Sequence, residues 1–325
     1  MADLQTAATT ETEQYRPQLT GYCYRMLGSA FEAEDAVQET MIRAWRNLDQ
    51  FEGRAAMKSW LYRIATNVCL TMLDGRKRRA QPMDIGGPGS AIEPSLGQLP
   101  EATWLEPMPD GRVLADETAD PEEAAISRET LRLAFVAALQ HLPARQRAVL
   151  ILREVLRWKA TEVAELLETS VASVNSALQR ARTTIAASGA SADGPAAPLD
   201  QADRALLARY VDAFEHFDID ALVALLHEDA RLSMPPYELW LRGAEELRAW
   251  YLGVGRHCEG SRLVAISANG APAFAQYRSS EDGGHVAWAL QVLDISGGQI
   301  VAIDSFLDTE RLFPLFGLPL RLEAA

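Results

Sequence analysis

The feature that most constrains this chain is a change of hydrophobic period about two-thirds of the way along its 325 residues. Before residue 188, apolar side chains recur at three- and four-residue spacing, the mark of helices with one buried face. In AEDAVQETMIRAWRNL, for instance, Ala36, Val37, Thr40, Met41, Ala44 and Trp45 share a face, and Glu34, Asp35, Gln38 and Glu39 lie opposite it. After residue 226 most segments alternate at period two, as in ARLSM, SRLVAISA, PAFAQYRS, HVAWALQVLDI and QIVAIDSFLD, with the turn signals EDGG and SGGQ between them. No single repeating architecture satisfies both periods. The chain must build helical parts and, separately, a part with an antiparallel sheet.

Two stretches punctuate it. Residues 81–121 are rich in Pro, Gly and acid without a sustained period, and 189–198 form a short run of small residues. The predicted organisation is a helical domain over 1–80, a linker over 81–121 ordered locally around Trp104 and Leu105, and a second helical domain over 122–188. A short linker over 189–198 then leads to an α+β domain over 199–325, in which DQADRALLARYVDAFEHFDIDALVALLHEDA supplies two helices. Asp120 before Pro121 reads as an N-cap with proline at the first helical position. Within the second helical domain, TEVAELLETS and SVASVNSALQRARTTI are short helices at a tight joint, with Thr161 starting the first and Ser170 capping the second. That is the layout of a helix-turn-helix.

The net charge of −14 argues against nucleic acid until it is located. Residues 54–79 carry 7 basic and 1 acidic side chains, and 143–182 carry 7 and 4, net +6 and +3. The acid lies elsewhere: 4 basic and 9 acidic over 1–53, 2 and 11 over 80–130, and 10 and 19 over 199–325. Two basic islands among acidic segments suit a protein that touches phosphate in two places. In the first island Lys58, Trp60, Tyr62, Arg63 and Asn67 precede Arg76, Lys77, Arg78 and Arg79. Aromatics interleaved with cations and an amide can stack on unpaired bases while the cations hold the backbone. An ordinary core helix with a solvated basic end fits the same composition. In the second island Ser170, Ser173, Asn175, Ser176, Gln179, Arg180 and Arg182 form a donor-rich set able to reach base edges in a major groove, and a helical hairpin with a polar face fits equally.

Other classes are disfavoured. No apolar run approaches the roughly 20 residues of a membrane span, and the opening MADLQTAATTETEQ lacks the pattern of a secretory leader, so a cytoplasmic location is expected. Cys23, Cys69 and Cys258 lie far apart without metal-ligand spacing, so neither metal nor cofactor is expected.

Residues 13–79 and 123–187 resemble the two conserved domains of the extracytoplasmic-function sigma factors of bacterial RNA polymerase. AEDAVQETMIRAWRNLDQF resembles region 2.2, KSWLYRIATNVCLTMLDGRKRR regions 2.3 and 2.4, and LPARQRAVLILREVLRWKATEVAELLETSVASVNSALQRAR region 4. The C-terminal part is similar to the SnoaL-like domains fused to some of these factors, and TWLEPMPD resembles a linker segment of that subgroup. The resemblance implies two all-α sigma domains followed by an α+β cone with a curved sheet. It implies that Asp35, Gln38 and Glu39 dock on the β′ clamp helices of core polymerase, with a further contact to the β flap. It places Phe51, Trp60, Tyr62 and Asn67 at the melted −10 element, Lys58, Arg63 and Arg76 to Arg79 on phosphates, and Ser170 to Arg182 at the −35 duplex. The end of region 4 departs from the commonest pattern, with Asn175, Ala177 and Gln179 where a cation and a histidine are usual, so promoter sequence does not transfer.

For the C-terminal domain the resemblance implies an internal pocket, with His285, Asp304, Tyr237 and Asp212 as candidate acid–base groups and Trp240, Trp250 and Trp288 as walls. Structural roles for these groups remain the alternative. The preferred reading is a non-enzymatic module that regulates the sigma domains through an intramolecular contact with them or with the linker. Its rivals are a ligand-sensing regulator that binds duplex DNA without polymerase, and an isomerase or cyclase with an N-terminal targeting module.

Overall fold

The computed structural model describes residues 12–48, 57–114, 121–187 and 199–323, the side chains of 121–124 excepted. They form two compact units, one over 1–79 and 110–196, the other over 80–109 and 197–325.

The first unit is helical. Helix α1 (Arg16–Leu27) stops at Gly28, whose positive φ of 72° lets its N–H turn back to the Tyr24 carbonyl at 2.8 Å. Ser29 then caps α2 (Ala30–Arg46) by accepting from the Glu32 N–H. With α3 (Met57–Leu73) these helices enclose Leu19, Tyr22, Val37, Leu61 and Ala65, and the Tyr22 hydroxyl is satisfied by Thr66 at 2.7 Å. Next come α4 (Asp110–Val113), α5 (Pro121–Glu129), α6 (Leu133–Gln140) and α7 (Ala144–Leu150), the last running into a π turn over Ile151–Val155. Helices α8 (Ala160–Leu166) and α9 (Val171–Ala187) make the helix-turn-helix. Its first helix starts after Lys159, whose N–H donates to Glu162, so Thr161 lies inside the helix rather than at its start.

Two buried arginines tie the early helices to the later ones. Arg25 of α1 donates to the Ser127 carbonyl and to Thr130, and Arg147 of α7 donates to the carbonyls of Met26, Gln140 and Leu142. With carbonyls and hydroxyls rather than a carboxylate around them, burial pushes both guanidinium groups down to about 10.

The second unit is a mixed sheet whose principal helices pack on one face. Helices α10 (Gln201–Glu215) and α11 (Ile219–Val223) precede β1 (Leu226–Ser233), β2 (Trp240–Arg242), α12 (Ala244–Leu252), β3 (Arg262–Ala268), β4 (Ala271–Ser279), β5 (His285–Ser296) and β6 (Gln299–Phe306). Helix α13 (Thr309–Leu315) and β7 (Arg321–Leu322) complete it. LLHEDA, read as helix from its sequence, contains the start of β1, because the chain passes there from α11 to the sheet. The strand order is β2-β1-β6-β5-β4-β3 with β7 on β5, antiparallel except where β1 runs parallel to β6. Leu232, Ile303, Leu293 and Phe274 point from the sheet to Tyr210, Phe214 and Trp250 of the helices.

The segment expected to be a linker contributes residues 81–109, together with Ala80, to this second unit. Gly89 donates to the Trp240 carbonyl, Leu99 to Pro236 and Asn269 to Met108, so this strap crosses from the β2 edge to the β3–β4 turn. Its Leu105 and Met108 are buried despite the Pro- and acid-rich surroundings, because the sheet supplies an apolar face that the local sequence does not reveal. No described helix is long and apolar enough to cross a membrane.

Candidate functional site: nucleic-acid interface and cavity

On α9, Val174, Leu178 and Ala181 face the core. Ser170, Ser173, Asn175, Ser176, Gln179, Arg180 and Arg182 are all exposed, and this helix contains no carboxylate. The Ser170 hydroxyl caps the helix through the Ser173 N–H at 3.1 Å, Arg180 reaches Ser176, and Arg182 reaches Glu154 at 2.7 Å. The result is a rigid donor-rich ridge set at the tip of the helix-turn-helix.

The first basic island divides. Trp60, Arg63 and Asn67 lie on one side of α3, half-buried or exposed. Tyr62 does not join them. Two residues along a helix turn the side chain by about 200°, and Tyr62 is fully buried, packed on Tyr22 and Trp158 with ring centroids 5.2 Å away in each case. Its hydroxyl lies 3.5 Å from the Gln18 carbonyl. It is a core residue that cannot receive a base in this arrangement. Lys58, half-buried, falls on the Tyr62 side of the helix. Beyond α3, Arg76 and Arg79 share Glu32 at 2.6 and 3.1 Å, Arg78 contacts the His141 imidazole, and Lys77 is exposed. Arg79 is buried, so it braces α2 rather than presenting a free cation to phosphate. Phe51 lies outside the described residues.

The acidic face of α2 also divides. Glu32 and Glu34 turn to arginines of the same unit, Glu34 meeting Arg112. Glu39 is half-buried and pairs with Arg43, and Asp35 and Gln38 remain exposed. Trp45, read as part of the buried stripe, is 59% exposed, and Ile42 is 36% exposed. Taking Ala33 as the centre of the buried face, Trp45 sits about 120° and Ile42 about 180° around the helix. Asp35, Gln38, Ile42 and Trp45 thus make one outward stripe. The spacing was present in the sequence, and the apolar character of Ile42 and Trp45 hid it.

The C-terminal candidates are scattered. Asp212 is exposed on α10 and pairs with His216. Trp250 is a core residue against Gly255, and the Trp240 indole donates to the Gly86 carbonyl of the strap at 2.8 Å. His285 starts β5 opposite Leu322. Asp304 is buried and accepts from the Ser233 hydroxyl at 2.6 Å, and burial first, with Asp294 adding to it, raises its carboxyl to about 6. The helix-facing interior of the sheet holds a closed chain of neutral groups, in which Tyr210 donates to Gln291, Gln291 to Gln276 and Gln276 to Ser261 at 2.8–3.0 Å. Sequence reasoning missed this chain entirely.

An open cavity of about 620 Å³ lies instead where β1 and β6 end and β5 begins. Tyr237 and Trp288 of the expected set line it, and Trp240, Trp250, His285 and Asp304 do not. Its remaining walls come largely from the strap and from α13, through residues such as Leu99, Trp104, Leu105 and Leu312. No group of His, Cys, Asp and Glu among the described residues could hold a metal ion.

The family comparisons follow these boundaries. Residues 12–79 match Sigma-70 region 2, 132–185 match Sigma-70, region 4, and 207–303 match the SnoaL-like domain. The chain is 45% identical over 317 residues to the ECF RNA polymerase sigma factor SigG of Mycobacterium tuberculosis, covering 96% of this chain and 84% of that one. It is 30% identical over 171 residues to SigW of Bacillus subtilis, covering 53% of this chain and 82% of that one. The crystal structure of SigJ, an extracytoplasmic function sigma factor of Mycobacterium tuberculosis, shares the fold with a TM-score of 0.62 and 22% identity, covering 96% of this chain and 99% of that chain. With the full span of the SigG match behind it, the chain belongs to the extracytoplasmic-function family of RNA polymerase sigma factors, with a SnoaL-like domain in the same polypeptide.

Proposed function

We propose that this sigma factor divides promoter recognition between the exposed ridge of α9, which reads the −35 duplex, and the Trp60, Arg63 and Asn67 face of α3, which holds the opened −10 strand. Binding of core polymerase and promoter-specific initiation follow from the family; this division is the finer reading. The observation that carries it is the α9 ridge, with two arginines, an asparagine and a glutamine outward and no carboxylate on the helix. Arg and Asn make bidentate contacts to base edges, each worth about 1–3 kcal/mol. Asn67 and Trp60 supply an amide and an indole to unstacked bases. The outward stripe Asp35, Gln38, Ile42 and Trp45 docks on the clamp helices of core polymerase, with Trp45 as its apolar anchor. Site two of the polymerase contact, on the β flap, falls to the second sigma domain.

The C-terminal domain acts as a regulator in cis and not as an enzyme. Support comes from its interior, where the polar groups between sheet and helices form a hydrogen-bonded chain of neutral amides and hydroxyls. The protein works in the cytoplasm, where core polymerase and promoter DNA are found.

Run-off transcription with bacterial core polymerase over a genomic promoter pool tests the division. Asn175→Ala with Arg180→Ala is expected to lower specific initiation about tenfold or more. Trp45→Ala is expected to weaken core binding about tenfold, with the choice of promoters unchanged. Undiminished initiation by the α9 double variant would remove that helix from the −35 contact. Sequence-specific duplex binding without core, and no initiation, would favour a polymerase-independent regulator.

A further inference from the structure

The cavity at the strand ends lies on the face of the sheet away from the interior of the SnoaL-like cone. In β5, Gln291 and Leu293 turn to the helices, and Gln291 accepts from the Tyr210 hydroxyl there. Leu290 is one residue away, so strand alternation turns it to the opposite face, and Phe306 of β6 pairs directly with it. Phe306 lines the cavity, which the strap and α13 close with Leu105 and Leu312. Most of the lining lies outside residues 207–303, the span of the SnoaL-like match. The site exists because the strap and the C-terminal domain are built together in one unit.

Aromatic side chains from four places in the chain meet in it: Trp104 of the strap, Tyr237 between β1 and β2, Trp288 of β5 and Phe306 at the end of β6. The placement of Trp288 is specific. Gln276 pairs with Ala289 but Tyr277 with Ala287, so Trp288 is the extra residue of a β-bulge, a distortion that re-aims a side chain. Its indole stays 39% exposed, braced by the Arg278 guanidinium 4.0 Å from the ring centroid. Charge does not select the occupant. Glu101, Glu106 and Asp308 border the cavity, and all three turn to Arg311 of α13, which pairs with Glu101 and lies 3.3 Å from Asp308 and 3.9 Å from Glu106. These carboxylates are engaged in holding the strap to α13, so a cation gains no open counter-charge from them. The lining contains no Lys, Arg or His, so an anion gains none either. What remains is aromatic and apolar surface around about 620 Å³, room for a small organic molecule.

We propose that this cavity binds an uncharged, flat aromatic molecule of two or three rings, held among Trp104, Tyr237, Trp288 and Phe306. The strap forms one wall, so occupancy ties residues 98–106 to β5 and β6. That segment joins the two sigma regions in sequence, and a ligand that holds it acts on their connection. The site stands on its own geometry, and its test does not depend on transcription.

The test titrates the full chain with N-phenyl-1-naphthylamine, an uncharged aromatic amine whose fluorescence rises on burial, and with 8-anilinonaphthalene-1-sulfonate, the same skeleton bearing a sulfonate. The uncharged dye is expected to saturate at one per chain, with an affinity at least about tenfold above that of the anion. Trp288→Ala is expected to weaken it about tenfold or more. Leu252→Ala, which removes another exposed apolar side chain of the same unit, should leave its affinity unchanged, because Leu252 does not line the cavity. Hydrogen exchange is expected to slow over residues 98–106 when the dye is bound. If Trp288→Ala lacks the parental thermal transition, Trp288→Leu carries the comparison. No saturation up to the solubility of the dye, equal affinity for the two dyes, equal effects of the Trp288 and Leu252 variants, or unchanged exchange over 98–106 would each overturn the proposal.

Discussion

Asp304 shows how one buried group sets a pH dependence. Its carboxyl is raised to about 6 from an ordinary 3.8, by burial that outweighs the Ser233 hydrogen bond and the attraction of Arg231. An acid raised in the folded state holds its proton there while the unfolded chain has released it. Stability is therefore present below the ordinary value and falls as pH climbs through about 6. The shift amounts to about 3 kcal/mol at most. Asp304→Asn keeps an acceptor for Ser233 and removes the charge. The variant is expected to unfold at higher urea than the parent at pH 7, with the gap narrowing as pH is lowered to 4.5. A gap independent of pH would mean that the carboxyl is not held protonated by the fold. Neither the shift nor its cause was legible in the sequence, where Asp304 stands in a plain alternating strand, QIVAIDSF, and reads as a catalytic candidate.

At the scale of an element, the helix-turn-helix was legible nearly in full. The hydrophobic spacing of Val174, Leu178 and Ala181 and the cap at Ser170 are local features, set by residues a few positions apart. What the sequence hid is the turn. Glu168 adopts a φ of 51°, a left-handed conformation usually taken by glycine, so that the Thr169 N–H can return to the Ala164 carbonyl at 2.9 Å. A non-glycine residue there costs on the order of 1 kcal/mol. Glu168→Gly is expected to stabilise the first unit by about 0.5–1 kcal/mol, as measured by urea unfolding. Destabilisation would show that the Glu168 side chain contributes more than its backbone costs. Helix α3 teaches the opposite lesson. Composition grouped Trp60 with Tyr62, yet helical geometry places them on different sides, and the angular reading alone would have separated them.

At the scale of the whole molecule, the two sigma regions were expected as separate domains joined by a linker, and they pack here in one compact unit. Arg25 and Arg147 make much of that join. Arg147→Met leaves the carbonyls of Met26, Gln140 and Leu142 without their donor, and is expected to destabilise the first unit by about 3 kcal/mol in urea titrations. Little or no change would mean that water or neighbouring groups replace the guanidinium.

The sequence by itself determined the class of each segment, the position of the helix-turn-helix and the basic islands, because period, caps and charge are properties of neighbouring residues. Only the tertiary structure decided that Tyr62 is core, that an acidic Pro-rich segment straps a sheet, and that the cavity opens at the strand ends. Each of these depends on a surface brought up from far along the chain, as when Trp158 covers Tyr62 or the ends of β1 and β6 meet Leu105. Burial is a relation between distant segments, and no local pattern encodes which partner will arrive.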